Sequence, residues 1–195
     1  GKTLISPGDK VIVEGPTFLA TIQCFRLYGA QLISAPIDGD GVQTDRLEAL
    51  IAEHKPKFVY LIPTFGNPSG GLLSLERRKR VLELAVKYQT VIVEDDPYGD
   101  LYFNAAPPPS LLALSAGVPG SRELLVHCGS LSKVLSPGLR VGWMIAEPEL
   151  LAKATMCKQF SDAHTSTFAQ ATAAQYLKAG RMPATLAHVR KVYAE

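Results

Sequence analysis

Residues 129–140 read GSLSKVLSPGLR, with Lys133 and Arg140 set among serines, glycines and apolar side chains. The segment follows the apolar run LLVHC. An amine in such surroundings is desolvated, which prepares a lysine as a Schiff-base nucleophile. Arg140 with the hydroxyls of Ser130 and Ser132 would make an oxyanion cradle, because guanidinium pairs bidentately with phosphate and serines add neutral donors. Each residue also has an ordinary explanation. Lys133 could be a loop lysine, the serines could satisfy a turn, and Arg140 could pair with a surface acid.

Two other stretches end in the same way. VIVED closes an apolar run on Asp95, with Val91 and Val93 on the same face under period-two alternation. A carboxylate so placed needs a partner, and a protonated heteroaromatic nitrogen would serve. Tyr98 follows three positions later, and Asp96 points the other way. FVYLIP runs into TFGNPSGG, where Asn67 could donate to a phenolate oxygen or simply close the turn. A reactive amine, a phosphate cradle, an acid for a ring nitrogen and two donors for a ring oxygen together match the needs of pyridoxal 5′-phosphate.

Several elements must position these groups. Short apolar runs at 11–13, 31–37, 58–63, 91–95, 124–128 and 141–146 read as strands. DRLEALIAEH and SLERRKRVLELAVKYQ read as helices, the second capped by Ser74. Alternation of this kind predicts an α/β fold, a mainly parallel sheet covered by helices on both faces. Ligands of such sheets bind beyond the carboxyl ends of the strands, where all three polar clusters fall. The stretch 104–120, with three consecutive prolines, is expected to be a long surface connection. The basic run Arg77-Arg78-Lys79-Arg80 reads as a solvated helix face. Two helices follow Glu147-Pro148, with a break near 162–165.

Composition narrows the class. With 20 basic and 18 acidic side chains the net charge is +2, which gives no footprint for nucleic acid or an anionic membrane. Three widely spaced cysteines argue for a reducing compartment and against a disulfide framework or zinc site. The expected location is cytoplasmic. The chain opens on Gly1 and stops within a helical pattern, so it is expected to be part of a longer protein.

PTFGNPSGG, EDDPYGDLYF and SLSKVLSPGLRVGW, in this order and spacing, resemble the fold-type I, class I and II aminotransferases dependent on pyridoxal phosphate. The resemblance covers residues 1–195 as part of the large cofactor domain. It implies Lys133 as the Schiff-base lysine and proton carrier, Asp95 as partner of the pyridine nitrogen, and Asn67 and Tyr98 as donors to the ring oxygen. Ser130 and Arg140 would bind the phosphate, with Ser132 in support. Phe18, in EGPTF, would stack on the ring. EDDPY and KQFSDAHTSTFAQ resemble the branch acting on 2-aminoadipate, aromatic amino acids or kynurenine. The implied reaction moves an amino group between an amino acid and a 2-oxo acid, in a homodimer. A similar domain forms the effector half of MocR-type transcription regulators, and lyases share the scaffold. An upstream phosphate loop, a tyrosine from the partner subunit and a C-terminal small domain with a carboxylate-binding arginine lie outside the segment.

Overall fold

Strand β1 (Lys10–Gly15) is the centre from which the sheet grows both ways. The computed structural model describes residues 1–194. The other strands are β2 (Gln31–Asp38), β3 (Gly41–Val42), β4 (Phe58–Leu61), β5 (Val91–Asp96), β6 (Leu125–Ser130) and β7 (Gly142–Ile145). Their order is β3-β2-β1-β4-β5-β6-β7. The five inner strands are parallel, and the edge strands β3 and β7 run antiparallel. The helices are α1 (Leu19–Leu27), α2 (Thr44–His54), α3 (Leu75–Tyr88), α4 (Leu111–Leu114), α5 (Pro148–Asp162), α6 (Thr167–Lys178) and α7 (Met182–Tyr193).

Period-two alternation sorts the side chains onto the two faces. On one face Ile12, Val59, Leu61, Ile92 and Leu125 pack under α2, α3 and α4. Buried side chains of this size contribute about 1.5–3 kcal/mol each. On the other, Val11, Val13, Phe58, Tyr60 and Ile62 pack against Phe25 of α1. Phe25 meets the rings of Phe58 and Tyr60 edge-on, at 5.3 and 5.5 Å between centroids. Beyond β6, Leu131 and Val134 pack on Ala173 of α6 and on Met182 and Leu186 of α7.

Helix α3 begins where expected, with Ser74 Oγ accepting from the Arg77 amide at 3.4 Å. The basic run at its start is not a uniformly solvated face. Arg78 is fully buried. Its guanidinium donates to the carbonyls of Leu73 and Pro63, both at 2.8 Å, to Pro109 O at 3.3 Å and to Thr64 Oγ1 at 2.9 Å. The stretch 104–120 is likewise more than a surface connection. Ser110 Oγ caps α4 by accepting from the Ala113 amide, and Leu111 has no exposed surface.

Candidate active site

The carboxyl edge of the sheet gathers the polar groups because of strand direction. The parallel strands β4, β5 and β6 end there, delivering Asn67, Asp95 and Tyr98, and Ser130 to Lys133. Antiparallel β7 starts at the same edge, so Arg140 arrives at its beginning. Ser130 pairs with Gly142, and the Leu131 amide donates to Val141 O at 3.0 Å. Gly129 lets β6 pass beneath Trp143: a Cβ there would lie 2.2 Å from the indole.

One group forms around Lys133. Asn67 Nδ2 donates to Tyr98 Oη at 3.5 Å, and Lys133 Nζ stands 5.9 Å from the centre of the Tyr98 ring. Tyr98 and Lys133 line a cavity of about 480 Å³ with Phe65, Tyr102, Phe103 and Tyr193. Lys133 is exposed, whereas its apolar neighbours in sequence, Leu131 and Val134, turn down into the core.

The second group surrounds Asp95. It lines a cavity of about 350 Å³ with Phe18, Thr21, Tyr60, Val93, Cys128 and Met144. Phe18 stands at the start of α1, partly exposed. Burial lifts the Asp95 carboxyl above the usual carboxylate range, opposed by a hydrogen bond from Tyr60 Oη to Oδ2 at 2.5 Å. Asp96 faces elsewhere, and its Oδ1 accepts from the Gly99 amide at 3.0 Å.

Ser130 lines a third, smaller cavity with Asp96, His127 and Trp143. Its Oγ accepts from the Ser132 amide at 3.1 Å. Arg140 is exposed and donates to Pro137 O at 3.2 Å. Among the described residues five non-glycine residues have positive φ; Lys55, Gln89 and Ala163 end helices, while Phe65 (φ 53°) and Arg140 (φ 55°) lie at this edge. Backbone strain of this kind gathers where a site dictates conformation.

Two buried acids brace the edge from below. Glu14 Oε2 accepts from the Ile62 amide at 2.8 Å, joining the ends of β1 and β4; burial pushes its carboxyl up to about 7. Glu94, fully buried, accepts from the amides of Leu111 and Leu112 at 2.7 and 3.1 Å and meets His127 Nδ1 at 2.8 Å. Burial opposes charge on His127, but Glu94, Asp96 and Asp95 together outweigh it and hold the imidazole pKa above its usual value. Neither acid, nor Tyr60, stands out in the sequence. The alternation of β4, which puts Tyr60 on the Phe58 face, was the one available signal for Tyr60.

Among the described residues no helix is long and apolar enough to cross a membrane, and no cluster of three or more His, Cys, Asp or Glu could hold a metal ion. Residues 2–191 match the family model for aminotransferase class I and II. The 2-aminoadipate transaminase of Thermus thermophilus is 43% identical over 197 residues, covering 100% of this chain and 48% of that protein. A crystal structure of LysN, an alpha-aminoadipate aminotransferase from Thermus thermophilus complexed with N-(5′-phosphopyridoxyl)-L-leucine, superposes with a TM-score of 0.90 at 42% identity. It covers 98% of this chain and 49% of that one. The HTH-type transcriptional regulator YisV of Bacillus subtilis is 31% identical, over 96% of this chain and 38% of its own length. The chain thus spans about half the length of the aminotransferases it matches. With matching that runs through all three strand ends, the chain belongs to the class I and II aminotransferase family.

Proposed function

We propose that this chain is part of the large domain of a pyridoxal-phosphate-dependent aminotransferase, which moves an amino group between an amino acid and a 2-oxo acid. The observation that carries the reading is the convergence of Asn67, Tyr98 and Lys133 at the carboxyl edge of the sheet, the edge to which β5 also delivers the half-buried Asp95. The donor set fits the cofactor. Among the described residues Asp95 takes a hydrogen bond from a neutral phenol and pairs with no cation, which leaves a protonated ring nitrogen as its counter-charge, and its cavity is lined mostly by apolar groups. When bound, pyridoxal phosphate supplies an aldehyde and an electron sink.

The chain's own groups divide the remaining work. Asp95 holds a proton on the ring nitrogen. Asn67 and Tyr98 donate to the ring oxygen, and Phe18 presents an aromatic face. Ser130 and Arg140 bind the phosphate, with Ser132 in support. Lys133 Nζ would hold the aldehyde and, once the substrate's amine has replaced it there, would as a free amine take and return the proton at the substrate Cα. The assembled enzyme is a homodimer of a reducing, cytoplasmic compartment. The exposed rings of Phe160 and Phe168 and the side chain of Met156 supply apolar surface for an interface. Substrates are 2-aminoadipate or aromatic amino donors, in keeping with the 2-aminoadipate transaminase matched along the whole of this chain.

Borohydride treatment of the full-length protein with pyridoxal phosphate should fix a phosphopyridoxyl group on Lys133, read by peptide mass spectrometry. Lys133→Ala should lose the adduct and transamination together. Undiminished transamination by that variant would overturn the assignment. The similarity to YisV favours a second reading, an effector domain fused to a DNA-binding segment. A full-length protein that binds the cofactor and DNA but turns over no amino donor would select it.

A further inference from the structure

Asp95 takes its hydrogen bond from Tyr60 through Oδ2, while Oδ1 has no protein partner among the described residues. Tyr60 is 3% exposed. It sits on β4, whose residue 60 pairs with Val93 of β5, so its ring lies on the face from which Asp95 projects. Phe25 holds the ring edge-on. Thr21 of α1 donates its hydroxyl to Tyr60 Oη at 3.2 Å. That bond occupies a lone pair of the phenol oxygen and leaves the phenolic hydrogen for Asp95. The chain of donors therefore runs one way, from Thr21 to Tyr60 to Asp95.

We propose that Tyr60, oriented by Thr21, is the positioning residue for Asp95: it fixes Oδ2 and leaves Oδ1 as the oxygen that meets a ring nitrogen. This rests on the cofactor reading above. The residue type matters. A lysine or arginine here would share the carboxylate's charge, whereas a phenol holds the group without neutralising it. Burial, and next the charge of Asp95, push the Tyr60 pKa far above its usual value, so the phenol stays a donor throughout any working pH range. A buried tyrosine also needs a partner for its hydroxyl, and here the partner is a site residue. The other titratable groups about Asp95 are His127 and Cys128 on β6 and Cys24 on α1, with Glu14 nearby on β1. The thiol of Cys128 is pushed up to about 12 by burial and remains neutral.

The test is Tyr60→Phe in the full-length protein, with Thr21→Val as a milder break in the same chain. In the cofactor-free protein, the titration of Asp95, followed by carboxyl carbon NMR, should move upward in Tyr60→Phe, because burial is then unopposed by the phenol. Thr21→Val should move it the same way by less. In the loaded enzyme, kcat should fall about tenfold with KM little changed, as expected for one lost charge-assisted hydrogen bond. The pH midpoint of the cofactor's visible absorbance should shift. An unchanged Asp95 titration in Tyr60→Phe overturns the proposal; should that variant fail to fold, an unchanged titration in Thr21→Val does so. Failure of the wild-type protein to bind pyridoxal phosphate would sink the cofactor reading alone, since the cofactor-free titration still decides the role of Tyr60.

Discussion

Glu14→Gln should make the protein more stable above neutrality and leave it nearly unchanged in acid. Glu14 is 8% exposed, and among the described residues its one hydrogen bond comes from the Ile62 amide. Burial lifts its carboxyl from 4.5 to about 7. At ~1.36 kcal/mol per pH unit, the folded state pays about 3 kcal/mol to ionise it. Between 4.5 and 7 the folded state holds a proton that the unfolded chain has released, so stability falls as pH rises through that window and is level above it. Glutamine keeps an oxygen for the Ile62 amide and carries no charge. Urea unfolding of the cofactor-free full-length protein at about pH 4 and about pH 8 measures both variants. The wild-type disadvantage should grow by about 3 kcal/mol between the two conditions. A constant offset across that range would reflect altered hydrogen bonding only and would refute the argument.

Three further outcomes are expected. Arg78→Met should destabilise by about 3 kcal/mol or more in the same unfolding assay, because it strands the buried carbonyls of Leu73 and Pro63. Leu111→Ala should cost about 2–5 kcal/mol and speed amide exchange at Leu111 and Leu112, since α4 loses the side chain that anchors it. Asp95→Asn should keep cofactor binding yet lower turnover about 100-fold, because the ring nitrogen loses its counter-charge; equal kcat would contradict the role given to that carboxylate.

The strand ends could be read because apolar runs of parallel sheets stop sharply, and polar residues just past them stand out. Asp95, Asn67 and Lys133 were visible for that reason. Arg78 was hidden by its charged neighbours, although it lies at helical spacing from Val81, Leu82 and Ala85, the buried stripe of α3. Carrying that stripe one turn back would have placed the arginine indoors. Leu111 was masked by the prolines before it, despite the cap offered by Ser110. The reversal of β7 follows from a connection too short for a crossover helix. The partnership of Tyr60 with Asp95 depends on how β4 registers against β5, which neither strand encodes alone. The exposure of Lys133 likewise depends on where the turn after β6 throws its side chain.

Strand β5 carries three acids in succession, and the pleat gives neighbours opposite destinations. Glu94 ties down the amides of Leu111 and Leu112 on the α3 face, while Asp95 opens into the cavity beneath α1. The identity of each task is thus a matter of parity. Deleting a single residue from VIV would trade them: the tether would face the cavity and the cavity's acid would face the tether. Both side chains are carboxylates, so composition would barely record the change. The chain would keep its acids and lose the order that sends one to the tether and the other to the cavity.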